Sequence, residues 1–149
     1  MLDDALKMTG RLTLELYDEH GQLRDVREVE NLVTAAGKGV VANRMTAAPT
    51  AAAMSHMAVG TGSTAAAASD TSLAAELAGA RPALASTNIA GPVITYAAAF
   101  GPGVGTGALQ EAGIFNAGAA GTMLARTTFA IINKAAGDTL NVTWTVTVG

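Results

Sequence analysis

In TLNVTWTVTV, residues 139–148, the apolar Val142, Trp144, Val146 and Val148 alternate with Asn141, Thr143, Thr145 and Thr147. A period of two sends one set to each face of a strand, so this segment reads as a half-buried strand with Trp144 in the core. It is expected in the middle of a sheet. RLTLELY, residues 11–17, alternates in the same way, with Leu12, Leu14 and Leu16 on one side. DEHG (18–21) supplies turn residues, and QLRDVREVE (22–30) returns as a more charged strand, so residues 11–30 read as a hairpin.

The period changes after Asn31. Val33, Ala36, Gly37, Val40, Val41, Arg44 and Met45 recur at three- and four-residue spacing, which predicts a helix over 33–46 with Asn31 or Thr34 as its cap. Gly37 and Gly39 each cost about 1 kcal/mol there relative to alanine, a cost that is tolerable if the helix lies close against a sheet. TAAPTAAAM (46–54) is a loop and SHMAVG (55–60) a short strand. DTSLAAELA (70–78) predicts a second, two-turn helix with Asp70 at its cap and Glu76 exposed. From Arg81 onward, RPALASTNI, PVITYAAAF, ALQEAGIFN and TMLARTTFAII precede the Trp144 strand, separated by Gly, Pro, Asn and Asp. About eight short strands with helices only in the connections predict a mainly β fold: an antiparallel two-sheet sandwich of jelly-roll type. Residues 1–8, with Leu2, Leu6 and Met8, read as an N-terminal arm available for partner contact. Residues 9–149 read as a single domain.

Composition narrows the function classes. Half of the 149 residues are hydrophobic, largely as alanine, and only 4% are aromatic, so the core rests on thin β layers and a few anchors such as Phe100, Phe115, Phe129 and Trp144. Nine Lys and Arg against twelve Asp and Glu give a net charge of −3, which argues against the clustered cations of a nucleic-acid binder. The chain has no cysteine, which removes disulfides and thiolate chemistry. MLDDALKM lacks the basic and apolar regions of a secretory signal, and no run approaches the ~18 apolar residues of a membrane span. The reading is a soluble chain that engages no membrane. So weakly charged a surface points to assembly with other molecules.

Candidate chemistry centres on MAVGTGSTAAAASDTSLAAEL, residues 57–77, where Gly60 and Gly62 before an expected helix have the outline of a phosphate cradle. A P-loop needs a lysine after its glycines, and none follows until Lys134. A dinucleotide fold needs a third glycine inside a βαβ unit, which is missing. GPGVGTG (101–107) lies between two strands. The loop therefore reads as a connection, with no cofactor. His20 sits in a turn and His56 on a short strand, and Asp18, Glu19 and His20 are consecutive, which makes a convergent metal site improbable on spacing. Glu111 and Arg126 each lie among apolar neighbours. A buried structural pair at a strand edge or interface is a more frequent outcome than a catalytic acid; a glycosidase needs a second carboxylate at a defined distance, and none stands out beyond Asp70, Glu76 and Asp138. Ser55, Ser63 and Ser69 lack a Gly-x-Ser-x-Gly setting, and Asn141-Val142-Thr143 is read as a strand segment. No enzymatic role is expected.

NLVTAAGKGVVANRM, MAVGTGSTAAAASDTSLAAEL, QEAGIFNAG, GTMLARTTF and DTLNVTWTV, in this order, resemble stretches of small structural proteins of tailed bacteriophages, most closely capsid decoration (cement) proteins. The resemblance covers roughly residues 31–148. It implies a jelly-roll domain on the outer surface of a virion capsid, made and assembled in the host cytoplasm. The implied partners are the major capsid protein and, as a homo-oligomer, the chain itself. Related stretches in tail-fibre and baseplate-associated proteins imply host attachment as the alternative. Nothing catalytic carries over. Gly60, Gly62, Asp70, Glu111, Gly113, Phe115, Arg126 and Trp144 match the pattern as fold-defining residues, and the alanine enrichment departs from it.

Overall fold

A computed structural model describes residues 6–149. Its element order is β1 (Met8–Tyr17), β2 (Leu23–Val33), α1 (Ala35–Arg44), β3 (His56–Gly60), β4 (Ser86–Ala90), β5 (Val93–Phe100), β6 (Gly107–Phe115), β7 (Met123–Lys134) and β8 (Thr139–Val148). The mainly β, antiparallel fold with eight strands is as the alternation predicts. The strands pair in one continuous curled sheet, in the order β3-β6-β7-β2-β1-β8-β5-β4.

The reason lies in β2. Its stretch from Leu23 to Asn31 pairs with β1, while Leu32 and Val33 pair with Arg126 and Ala125 of β7. One strand thus passes from one half of the sheet to the other. The pairs nest, β1 with β8, β2 with β7, β3 with β6 and β4 with β5, as in a long hairpin rolled up on itself. The two halves share one core. Leu12, Leu14 and Leu16 of β1 and Val142, Trp144 and Val146 of β8 belong to the same buried cluster as Met57, Val59, Leu109, Ile114, Leu124 and Ile132. Burial in β1 and β8 alternates with the period read from the sequence. Trp144, fully buried, pairs with Leu12 on one side and Tyr96 on the other.

The β1–β2 turn is built as its residues require. The Asp18 carboxylate accepts the backbone N–H groups of His20 and Gln22, both at 2.9 Å, and Gly21 takes φ +76°. Met8 corrects the expected arm. It opens β1, pairs with Val148 and packs against the core, so any arm ends before it. Leu6 is 71% exposed, and Leu2 lies outside the described residues.

Helix α1 is capped by Thr34, whose hydroxyl oxygen accepts from Gly37 N at 2.9 Å and whose O–H donates to the Met123 carbonyl at 2.7 Å. One side chain therefore ends the helix and fastens it to β7. A Cβ on Gly37 would overlap the Leu124 backbone, whereas one on Gly39 would meet no atom of the described residues within 4 Å. The two glycines should therefore respond oppositely to alanine. Gly37→Ala is expected to destabilise by about 1–3 kcal/mol through overpacking. Gly39→Ala should stabilise by about 0.5–1 kcal/mol through helix propensity. Paired thermal melts check both, and equal shifts would contradict this packing.

Residues 70–78 are not helical. The segment from Gly62 to Pro82 runs as an irregular strap beside β3, joined to it by bridges Gly60–Glu76 and His56–Ala83. Backbone bonds Thr61 N to Ala75 O and Leu77 N to Val59 O extend this pairing. The alanines and Leu77 favour a helix locally, but the strap covers the open edge of β3, and tertiary hydrogen bonding overrides the propensity.

Candidate functional site

The Gly60–Gly62 loop does cradle an anion, and that anion is the Glu111 carboxylate of the same chain. Glu111 lies in β6 directly opposite Gly60 of β3 and is fully buried. Its Oε2 accepts from Gly62 N at 2.8 Å and Ala75 N at 2.7 Å. Its Oε1 accepts from Ala74 N at 2.8 Å and from Arg126 Nε at 3.1 Å. Three main-chain donors and a guanidinium converge on one carboxylate, which is how backbone amides bind phosphate in a nest. The missing cradle lysine is replaced in role by Arg126.

The glycines are set by close approach rather than by turn geometry. A Cβ on Gly62 would fall on Glu111 Oε2 and on the Ala74 methyl, and one on Gly60 would fall on the Ala75 carbonyl. Neither residue has positive φ. Gly113 makes room in a similar way, since a Cβ there would lie 3.0 Å from Met123 Sδ and 3.1 Å from Leu73 Cδ2. Leu73, Ala58, Phe115 and Met123 form a second small apolar cluster beneath the strap.

Arg126 stands opposite Gly113 on β7, beside Glu111. Its Nη1 donates to Asp70 Oδ2 at 3.0 Å and its Nη2 to the Thr64 carbonyl at 2.8 Å. Asp70 does not cap a helix; its Oδ2 also accepts from Ala67 N at 2.9 Å. The rigid fork of a guanidinium reaches three acceptors in three directions, joining β7 to β6 at Glu111 and to the strap at Thr64 and Asp70. Gly60, Gly62, Asp70, Glu111, Gly113 and Arg126, separated by up to 66 positions, thus meet at one place. Phe115 is in the adjacent small cluster. Trp144 belongs to the main core instead.

This arrangement holds a loop. Both Glu111 oxygens take two donors each, and the carboxylate has no exposed surface. A shallow polar depression of about 360 Å³, lined by Thr64, Ser69, Asp70, Ser72 and Arg126, lies over the network. Within that lining Arg126 is already bonded to Asp70 and to the Thr64 carbonyl.

A neighbouring contact escaped the sequence reading. Arg81 stacks over the Phe115 ring, 3.7 Å from its centroid, and pairs with Glu76 through two bonds of 2.6 and 2.9 Å. It also donates to the carbonyls of Ala117 and Ala120, fastening the β6–β7 connection to the strap. The available signal was that Glu76 and Arg81 are the only charges between Asp70 and Glu111. At the opposite end of the sheet, the buried Lys134 donates to the Gly101 carbonyl at 2.9 Å. Burial pushes its ammonium below the ordinary value of 10.5, and Asp138 opposes the shift.

The histidines are apart. His20 lies in the exposed turn, 3.5 Å from Glu19, while His56 Nδ1 is 2.8 Å from the Ser55 hydroxyl. Among the described residues no three His, Cys, Asp or Glu side chains are grouped to hold a metal, and no helix is long and apolar enough to cross a membrane. No family model, no curated protein and no solved structure matches this chain.

Proposed function

We propose that the protein is a structural virion component that binds the outer surface of a bacteriophage capsid and cements neighbouring major capsid protein subunits. The observation that carries the reading is the closed Glu111–Arg126–Asp70 network. The two most chemically suggestive stretches of the sequence, the glycine loop and the buried Glu–Arg pair, consume each other's hydrogen-bonding capacity. What they produce is a fixed strap on a β scaffold. The same residues carry the resemblance to cement proteins, and a role in holding shape is what such a protein requires of them. Binding is non-enzymatic and uses no cofactor in this reading.

The mechanism is mass action. A protein with affinity for the assembled shell alone stabilises that shell by about 2.7 kcal/mol per occupied site at a hundredfold excess over Kd, and many sites on one shell multiply the effect. The sparsely charged surface favours contact through small apolar and uncharged polar groups. Arg11 and Glu28, paired at 2.9 Å on the outside of β1 and β2, are mutually neutralised. The test is co-sedimentation of the purified chain with undecorated shells and, separately, with isolated tails. Saturable binding to shells that raises their melting temperature is the expected result. Binding to tails with none to shells would overturn the reading in favour of a tail-fibre or baseplate module.

A further inference from the structure

The curled sheet has two edges, and the chain treats them differently. At β3, the strap supplies backbone bonds along the whole strand, including Met57 N to the Pro82 carbonyl and Val59 N to the Ala80 carbonyl. At β4, the inner side pairs with β5 from Ser86–Ala97 to Ala90–Val93, and no described residue pairs with the outer side. All five β4 residues are exposed.

Sheet edges left open in this way are normally defended by lysine, proline, a bulge or an inward-pointing charge. β4 reads Ser-Thr-Asn-Ile-Ala and has none of these within it. The neutrality extends beyond the strand, since the chain carries no Asp, Glu, Lys or Arg from Pro82 to Gln110, nor along β8 from Thr139 to Val148. The edge also keeps apolar surface in water. Ile89 is 75% exposed, and its row continues through Ile94 of β5 to the buried Val146 of β8. The core face thus runs out to the edge and stops there uncovered.

We propose that β4 is a self-pairing edge, at which two copies of the chain join antiparallel about a two-fold axis at Asn88. Such pairing is isologous, the same patch meeting itself, and a second copy is the occupant that the charge pattern favours. A neutral strand meets its own copy without like-charge repulsion, while a charged partner segment finds nothing there to pair with. In this register Asn88 faces the partner's Asn88, and Thr87 faces the partner's Ile89, which removes Ile89 from water. Five residues per strand make a short ladder, so the association is reversible. The inference does not depend on where in a virion the chain resides.

The register gives a direct test by sedimentation velocity on the full chain. The wild type should run at twice its 14.8 kDa mass at high micromolar concentration. Asn88→Lys and Asn88→Glu each put like charges directly opposite one another across the axis, which destabilises a strand pair, so each alone should shift to the monomer mass. Because Asn88 is exposed, both variants should melt near the parent temperature. An equimolar mixture of the two should recover the dimer through a Lys–Glu pair. A wild type that stays monomeric, a dimer that survives Asn88→Lys, or a mixture that fails to recover overturns the proposal. A wild type that dimerises only after residues 1–5 are deleted also overturns it, by assigning the edge to the chain's own first residues.

Discussion

Arg126→Ala is expected to destabilise the fold by about 3–5 kcal/mol, the usual cost of removing one partner from a buried ion pair. The substitution strands Glu111, fully buried, with three backbone donors and no countercharge. It also frees Asp70 and the Thr64 carbonyl from their bonds to the guanidinium. Arg126→Lys should rescue little, because one ammonium cannot reach Glu111, Asp70 and Thr64 in the geometry of the fork. Glu111→Gln adds a sharper version of the same test. Both carboxylate oxygens receive donors, so whichever way the amide is turned its NH2 confronts N–H groups. A loss of about 1–3 kcal/mol per unsatisfied group follows. Urea denaturation of the three variants measures these differences, and changes below about 0.5 kcal/mol would mean that the network carries no stability.

Trp144→Ala is expected to cost about 3–5 kcal/mol through loss of buried area and the cavity left behind. The residue is fully buried in an interior strand, between Leu12 and Tyr96, and much of the soluble protein should be lost. The indole N–H of Trp144 is buried without a hydrogen-bond partner among the described residues. Trp144→Phe therefore sacrifices volume but no polar contact, and it removes an unsatisfied donor that itself costs about 1–3 kcal/mol. The phenylalanine variant should accordingly retain most of the stability that the alanine variant loses. Thermal melts that place both variants within a degree or two of the parent would show that β8 is not the centre of the core.

These two sites differ in how much of them could be read from the chain. Trp144 was legible because β8 alternates without interruption, and a period of two fixes which side chains face inward. α1 was legible for the same reason at the helical period, with its cap narrowed to Asn31 or Thr34, of which Thr34 is the one used. The residue types of the network were visible too: Glu111 and Arg126 stood out as charges in apolar strands. Their partners were not visible. Nothing local indicates that the N–H groups of Ala74 and Ala75 point at a carboxylate 36 and 37 positions away, so residues 70–78 read as a helix from their own propensities. The continuity of the sheet was hidden as well. It depends on the two residues Leu32 and Val33 pairing with β7, and hydrophobic period is silent on which strand a neighbour will be. Met8 was misplaced in the arm because β1 begins with MTG, where Gly10 interrupts the alternation that Leu12 resumes.

The central claim is that the glycine-rich stretch holds the chain's own Glu111, fixing a strap on a β scaffold, and has no anion-binding capacity left over. Residue-resolved amide hydrogen exchange tests it most directly at Gly62, Ala74 and Ala75, which lie in irregular backbone where unbonded amides exchange freely. The account predicts strong protection at all three in the wild type, loss of that protection in Arg126→Ala and Glu111→Gln, and no change when ATP or inorganic phosphate is added. Exchange of these amides at open-loop rates in the wild type, or protection that rises with added phosphate, would contradict it.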